Sequence, residues 1–204
     1  MDTSDPEITF DAEGVCSHCH RVDEVLRPRW FPNEEGARKL EALATRLKKA
    51  GKGKPYDCII GLSGGVDSSY LAWLAVKKMG LRPLAVHVDA GWNSDEAVSN
   101  IHRLTDILGI HLVTYVVNWQ EMKALHRAFL EAGVANQDIP QDHAFTAGVF
   151  RTARKYGIKT ILGGSNFATE SILPSAWGYD AMDRSHIMDI YRRFAPKGTR
   201  KLKS

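Results

Sequence analysis

The sequence has few cysteines, no long apolar run and no excess of one charge. Three cysteines in 204 residues cannot build a disulfide framework, which favours a reducing compartment and predicts a cytoplasmic protein. No apolar run approaches the roughly 20 residues that a membrane-spanning helix needs, and the acidic residues 1–7 do not resemble a signal peptide. The 27 Lys and Arg nearly balance the 24 Asp and Glu, which argues against a dedicated nucleic-acid binder. We therefore expect neither a membrane nor a nucleic acid as partner.

Two common phosphate-binding patterns are also missing. No lysine follows Gly64 and Gly65, although the usual nucleoside-triphosphate loop requires one to reach the outer phosphates. The third, spaced glycine of the dinucleotide fingerprint is absent as well. These absences exclude the two commonest glycine-rich phosphate loops, but they do not exclude an anion site of another kind.

A strand, a glycine turn and a helix are predicted around residues 56–69. The apolar run 58–60 leads into Gly-Leu-Ser-Gly-Gly at residues 61–65, and an apolar helical pattern starts at Ser68. Glycines allow the backbone to approach a ligand closely, and the free N–H groups at a helix start attract negative charge. The stretch predicts an anion site, with a turn that holds no ligand as the alternative.

The residues 63–68 read Ser-Gly-Gly-Val-Asp-Ser, which resembles the pyrophosphate loop of the ATP pyrophosphatase superfamily. Members of that superfamily split ATP between its alpha and beta phosphates and adenylate a substrate. The resemblance implies that this loop holds the leaving pyrophosphate and that Asp67 helps to place Mg²⁺. It also implies an adenine nucleotide alpha hydrolase-like fold.

Strand-like and helix-like patterns alternate over most of the chain. This alternation predicts an α/β fold with a doubly wound, mostly parallel sheet of four or five strands and helices on both faces. We expect an irregular segment at residues 1–32, the main domain at 33–195 and a basic tail at 196–204. The helix of residues 69–79 is apolar almost all round, which predicts that it is buried and that Trp73 belongs to the core.

Ligands of open parallel sheets bind beyond the carboxyl ends of the strands. The second predicted strand ends at residues 87–89, and a second glycine turn follows the predicted strand 159–163. Two such turns at the carboxyl ends of two strands would enclose one nucleotide from both sides. The superfamily resemblance implies that backbone groups of residues 86–88 contact adenine. The predicted ATP contacts are Leu62, Ser63, Gly64, Gly65, Asp67, Ser68, Val86, His87, Val88, Gly163 and Ser165.

Cys16 and Cys19 have the spacing of two ligands on one face of a tetrahedral zinc. His18 or His20 is a candidate for a further ligand, but a structural zinc site normally has four. A redox pair and two reduced surface cysteines are the alternatives. The pattern predicts half of a zinc site.

Further stretches resemble the N-acetyl sugar amidotransferases of bacterial surface-polysaccharide synthesis. The resemblance reaches about residue 194 and rests on the loop together with residues 1–6, 8–11, 14–16, 87–89, 91–93, 142–144, 168–170, 172–174 and 177–179. Members convert the acetamido group of a nucleotide-linked sugar into an acetamidino group, with ammonia from a separate glutaminase subunit. They usually carry another Cys-x-x-Cys upstream and continue beyond this chain's last residue. We therefore expect a short chain with an incomplete zinc set.

The resemblance implies an ATP-dependent amidotransferase that releases AMP and pyrophosphate. Its candidate catalytic residues are Ser63, Asp67, Asp142 and His143, and its candidate substrate contacts are Asn93, Asn166, Glu170 and Trp177. Asp142 has a structural alternative as the N-cap of the helix predicted at 144–156. A tRNA sulfurtransferase of the same superfamily and a non-catalytic ATP-binding domain remain open. The sequence is compatible with a homodimer.

Overall fold

Four parallel strands form one sheet in the computed structural model, which describes residues 2–165, 174, 180–199 and 202. The order across the sheet is β3-β2-β1-β4. This arrangement confirms the predicted α/β fold with a parallel sheet. The strands are β1 (Cys58–Gly61), β2 (Pro83–Asp89), β3 (His111–Val116) and β4 (Ile161–Leu162).

The chain winds outward from β1 in two directions. It first passes through β2 to β3, and it then returns across the sheet to place β4 on the other side of β1. The helices that follow β1, β2 and β3 are α3 (Val66–Trp73), α4 (Asp95–Leu108), α5 (Trp119–Ala132) and α6 (Ile139–Lys155). Sheets with this winding bind ligands at the carboxyl edge, where the connecting loops diverge.

Alternate strand residues build a core on each face of the sheet. Ile60 and Ala85 pack with Ile101 of α4 on one face. Ile59 and Leu84 of the same strands pack with residues of α6 on the other face. The strands therefore carry nearly continuous apolar runs, as expected for a parallel sheet that is covered on both sides.

The helix α2 (Glu34–Ala50) precedes the sheet and packs through one side only. Asn33 caps it by accepting a hydrogen bond from the N–H of Gly36, and Ala44 and Leu47 are its buried residues. Cys58 lies in the cluster that these residues form and is 0% exposed. Cys58 is therefore buried in the first strand, between the sheet and α2.

The helix that follows the glycine turn differs from its prediction. It begins at Val66 and continues after Trp73 as a π-helical turn over Leu74–Lys78. Val66, Tyr70 and Trp73 are 81%, 59% and 37% exposed, so the predictions of a buried helix and of Trp73 as a core residue were wrong. The three residues share one helix face by their spacing, and that face points away from the sheet. Trp73 stacks on Tyr70, with ring centroids 5.7 Å apart.

The N-terminal segment is less irregular than its sequence pattern indicates. It contains α1 (Ser17–Arg21), a π-helical turn (Val22–Leu26) and a 3₁₀ turn (Arg27–Arg29). Near the end of the chain, α7 (Arg184–Phe194) packs on α5 through a separate apolar cluster that includes Phe129 and Ile190. No helix in the described part of the chain is long and apolar enough to cross a membrane.

Candidate functional site

A cleft of about 410 Å³ opens at the carboxyl ends of β1 and β2. This volume lies within the range of small-molecule pockets, roughly 300–1,000 Å³. Four segments form its walls, which are the loop after β1, the end of β2, the loop before α4 and one face of α6. The lining residues include Leu62, Ser63, Ser68, Val86, His87, Val88, Trp92, Asn93, Gln141, Phe145 and Val149.

The loop of residues 63–68 is closed by hydrogen bonds between its two serines. The Oγ atoms of Ser63 and Ser68 are 3.0 Å apart, and the backbone N–H of Ser63 donates to Ser68 Oγ. Gly65 stands at the N-cap of α3 and has no side chain to cap the helix. The first N–H groups of a helix have no intrahelical acceptor, so this end of α3 offers donors and positive dipole charge to an anion.

Gly64 holds the loop against α4. Its φ is +80°, a conformation that side chains rarely adopt, and a Cβ atom there would lie 2.5 Å from the carbonyl oxygen of Ala97. Asn100 also donates a hydrogen bond of 3.4 Å to the Gly64 carbonyl. The position therefore requires glycine for two separate reasons, its backbone conformation and its contact with α4.

Leu62 is attached to β2 through both of its backbone polar groups. Its N–H donates to the carbonyl of Val86 over 2.9 Å, and its carbonyl accepts a 3.0 Å hydrogen bond from Nδ1 of His87. A carbonyl only accepts, so Nδ1 of His87 carries the proton. Nε2 of His87 is buried and has no hydrogen-bond partner among the described residues. His87 thus connects β2 to the residue that precedes the loop of residues 63–68.

The loop after β2 turns back over the cleft and starts α4. The N–H of Gly91 donates to Asp89 Oδ1 over 2.9 Å, and Ser94 caps α4 by accepting from the N–H of Ala97. Ser94 is therefore the N-cap of α4. Asn93 is left beside the cleft together with Trp92.

The helix α6 begins earlier than its predicted start at residue 144. Asp138 occupies the N-cap position, so the structural alternative of Asp142 as the N-cap was wrong. Asp142 lies in the first turn. Partial burial of its carboxyl group, together with the nearby charge of Asp138, raises the pKa of Asp142 above its ordinary value.

His143 lies on a different side of α6 from the cleft-lining Gln141. Its Nδ1–H donates to the carbonyl of Ala181 over 2.8 Å. His143 lines a second cavity of about 550 Å³, together with Arg151 and Arg184. The structure therefore does not bring His143 together with Ser63 in one cavity.

The second glycine turn follows β4 and lies beside the first turn of α3. A Cβ atom at Gly164 would be 3.3 Å from the carbonyl oxygen of Asp67. Gly163, Ser165 and the Asp67 side chain are exposed at this edge. The predicted substrate residues Asn166, Glu170 and Trp177 lie outside the described residues.

The cleft-lining residues that sequence analysis missed include Trp92, Gln141, Phe145 and Val149. Trp92 follows a strand and a glycine, which is a position at the binding edge of a parallel sheet. Gln141, Phe145 and Val149 are spaced by four residues and form a stripe on one face of α6. This stripe would have indicated the cleft wall had the helix start been predicted at Ile139.

The two N-terminal cysteines lie together without a further ligand. The Sγ atoms of Cys16 and Cys19 are 3.5 Å apart. His18 instead pairs with Asp5 over 2.6 Å, and His20 pairs with Asp11 over 2.7 Å. Within the described ranges no group of three metal-binding side chains occurs, so the predicted zinc site has two sulfur ligands.

Comparison with known proteins finds one matching family model. The family model described as NAD synthase matches residues 37–183, which include the loop, both cleft-lining strands and α6. An uncharacterized protein of Methanocaldococcus jannaschii is 35% identical over 99 residues, which are 48% of this chain and 33% of that protein. The glutamine-hydrolyzing GMP synthase of Pyrobaculum aerophilum is 33% identical over 110 residues, or 53% of this chain and 21% of that protein.

Among solved structures, NMN synthetase from Francisella tularensis is similar in fold. The TM-score is 0.50 at 20% sequence identity, with 86% of this chain and 76% of that chain covered. An identity this low shows the fold alone. The chain spans a third or less of the length of the curated relatives that it matches.

Proposed function

This chain belongs to the NAD synthase family, and on that premise we propose that it activates an acceptor with ATP and then transfers ammonia-derived nitrogen to it. The observation that carries the proposal is the loop of residues 63–68, where a helix start without a side-chain cap meets a glycine turn at the edge of the cleft, which Ser63 and Ser68 line. The GMP synthase among its relatives is named as glutamine-hydrolyzing. This name supports an ammonia-using reaction, but it identifies no acceptor for this chain.

The loop fits the phosphates of ATP. Gly64 and Gly65 present backbone without side chains, and a Cβ atom at Gly64 would collide with α4. The N–H groups at the start of α3 would stabilise the charge that develops on departing pyrophosphate, because preorganised donors act strongly where water is excluded. Asp67, in the first turn of α3, would hold Mg²⁺, which when bound neutralises phosphate charge.

The proposed acceptor is a nucleotide-linked N-acetyl sugar. An amide oxygen is a poor leaving group, so ammonia does not displace it directly. Attack of that oxygen on the alpha phosphorus of ATP would expel pyrophosphate and form an O-adenylyl imidate. Ammonia would then add to the imidate carbon, and loss of AMP and a proton would leave the amidine.

We assign Asn93, at the cleft wall, to the acceptor rather than to ATP. Asn166, Glu170 and Trp177 stay proposed substrate contacts, as the resemblance implies. Asp142 stays a proposed group for accepting a proton from ammonia, because a raised pKa brings a carboxyl group nearer to the range useful for proton transfer. His143 stays a proposed group for orienting the acetamido group, and this role requires the acceptor to extend from the cleft into the second cavity, which His143 lines.

A separate glutaminase subunit is the proposed source of ammonia. A glutaminase hydrolyses the side-chain amide of free glutamine and so releases ammonia where it is used. We also propose that the chain acts as a homodimer and that Cys16 and Cys19 bind zinc only with ligands from outside the described residues. Cys58 does not favour a sulfurtransferase, because it is buried and burial raises its pKa to about 12.

The test is an incubation of the protein with ATP, Mg²⁺, ammonium and a panel of UDP-linked N-acetyl sugars. The proposal expects one sugar to change by the mass difference between O and NH, in step with AMP release. Ammonium replaces the glutaminase, so the partner is not needed for this assay. Release of AMP without any modified sugar would refute the proposed acceptor class, and ATP that survives unchanged would favour a non-catalytic ATP-binding domain.

A further inference from the structure

Trp92 is a large aromatic side chain exposed at the wall of the cleft. It is 62% exposed although it lines the cavity. Tryptophan is usually well buried in folded proteins, and an exposed aromatic surface in a concave site commonly marks ligand binding. The proposed reaction gives this side chain no role.

The ring of Trp92 is held in place rather than free to rotate. Its centroid lies 5.5 Å from that of Trp119 and 5.8 Å from that of His126, both in edge-to-face geometry. Such pairs stabilise a defined orientation. Burial lowers the pKa of His126 below its ordinary value, which favours the uncharged imidazole in this contact.

Gly91 permits this arrangement. Its φ is +88°, and a Cβ atom there would lie 2.7 Å from the ring of Trp119. The loop therefore lies directly on Trp119 and carries Trp92 to the cleft. An aromatic residue that is fixed at its edge and exposed beside a cavity is pre-organised to stack on a flat ligand, which limits the entropy lost on binding.

The rest of the cleft is suited to a flat apolar ring next to a phosphate. Val86, Val88 and Phe145 supply apolar surface, while the loop of residues 63–68 supplies the anion site in the same cavity. A nucleobase linked to phosphate combines both features. Every nucleobase has a π-face, so stacking on an aromatic side chain does not depend on which base is present.

We propose that Trp92 is a stacking platform for a nucleobase bound in the cleft. The inference rests on the proposed function, because it takes the phosphate of the same ligand to lie at the loop. The base belongs either to ATP or to the nucleotide carrier of the acceptor, and both present the same chemistry to Trp92. Titration with nucleotides of different bases separates these two sources.

The test compares Trp92→Ala, Trp92→Phe and the wild-type chain by isothermal titration with AMP, UMP and pyrophosphate. Trp30→Ala is a matched control, since Trp30 is 53% exposed and is not part of the cleft wall. We expect Trp92→Ala to lose affinity by roughly 5- to 150-fold for a base-bearing ligand, which corresponds to one base stacked on one aromatic ring. Trp92→Phe should retain most of the affinity, and pyrophosphate binding should not change.

The outcomes separate the alternatives. A loss confined to AMP assigns the platform to the base of ATP, and a loss confined to UMP assigns it to the carrier of the acceptor. Equal losses for AMP and UMP, with pyrophosphate binding unchanged, support a platform that accepts either base. Equal affinities in Trp92→Ala and wild type overturn the inference, as does an equal loss for pyrophosphate, which would indicate a disturbed loop. Failure of the wild-type chain to bind AMP, UMP and pyrophosphate overturns the proposed function and the inference with it.

Discussion

The Nδ1–H group of His87 donates a hydrogen bond to the carbonyl oxygen of Leu62 over 3.0 Å. Leu62 directly precedes the loop of residues 63–68, and its N–H is bonded to Val86 in the same strand as His87. The start of the loop is therefore fixed to β2 at two points. Because a loop that binds an anion works best when its donors are already oriented, His87 is expected to position it.

Replacing His87 by alanine should weaken the loop. The carbonyl of Leu62, a residue that is 2% exposed, would lose its side-chain donor, at a cost of about 1–3 kcal/mol. We expect lower pyrophosphate affinity in titration and a lower urea midpoint. His87→Asn is the control, because its amide N–H reaches a similar position and should restore much of both. Unaltered pyrophosphate affinity in His87→Ala would contradict the positioning role.

Gly64→Ala should abolish binding at the loop. The new Cβ would combine an unfavourable backbone conformation, costing roughly 1–2 kcal/mol, with a contact of 2.5 Å to Ala97. Gly109→Ala is a matched control, since Gly109 also has a positive φ but a Cβ atom there would have no neighbour within 4 Å. Thermal unfolding should show a larger stability loss for Gly64→Ala than for Gly109→Ala. ATP titration should show a loss of affinity for Gly64→Ala only. Equal effects of the two substitutions would argue against the close approach to α4.

Ser63→Ala should lower turnover by on the order of 10², the effect typical of removing one preorganised donor. Ser63 Oγ lies 3.0 Å from Ser68 Oγ and accepts from the N–H of Gly65, so the substitution removes both a donor and a contact that shapes the loop. Ser99→Ala, at an exposed position of α4, is the control. AMP release under saturating ATP is the measurement, and a Ser63→Ala rate within a factor of about two of wild type would remove Ser63 from the mechanism.

Asp57 and Arg82 should make stability depend on pH. Burial acts to raise the pKa of Asp57, but the hydrogen bonds and charge of Arg82 outweigh it and lower the pKa below its ordinary value. A carboxyl group with a lower pKa in the folded state stabilises the fold above its unfolded pKa of about 3.9, and this contribution is lost as the pH falls through the folded value.

Asp57→Asn should therefore destabilise the chain most near neutral pH. At neutral pH we expect the free energy of unfolding to fall by about 1–3 kcal/mol. Solvent screening reduces this loss, because the Arg82 side chain is 53% exposed. The difference from wild type in urea unfolding should shrink as the pH falls below about 4. A difference that stays constant between neutral and strongly acidic pH would show that the charge of Asp57 contributes nothing.

Cys58 should resist alkylation in the folded chain. It is 0% exposed, and burial raises its pKa to about 12, whereas only the thiolate reacts. Iodoacetamide followed by peptide mass analysis should label the exposed Cys19 and leave Cys58 unmodified until denaturant is added. Rapid labelling of Cys58 in native protein would revive the sulfurtransferase hypothesis, which needs a reactive cysteine near the nucleotide.

The sheet and the loop were predictable because local signals agree with the fold there. The apolar runs of β1 and β2 predict buried strands, and Gly64 and Gly65 predict a turn after β1. Few other folds are compatible with both signals. The start of α6 was predicted too late in the chain because a proline such as Pro140 often precedes a helix. Proline is also well tolerated in a first helical turn, where its missing N–H has no acceptor in any case.

The remaining features of the cleft depend on contacts that sequence patterns do not encode. The helical apolar pattern does not show that Val66, Tyr70 and Trp73 face away from the sheet. Trp92 is a cleft residue only because its loop packs on Trp119 of α5, and His87 positions the loop only because its ring reaches Leu62. Both are contacts between segments that lie far apart along the chain.

The most direct test of the account is the identity of the nucleotide product. The chain is incubated with ATP, Mg²⁺, ammonium and the panel of UDP-linked N-acetyl sugars, and the adenine nucleotides and phosphates are separated by chromatography. Cleavage between the alpha and beta phosphates at the loop of residues 63–68 predicts equal amounts of AMP and pyrophosphate, both reduced in Ser63→Ala. Accumulation of ADP and inorganic phosphate would contradict it.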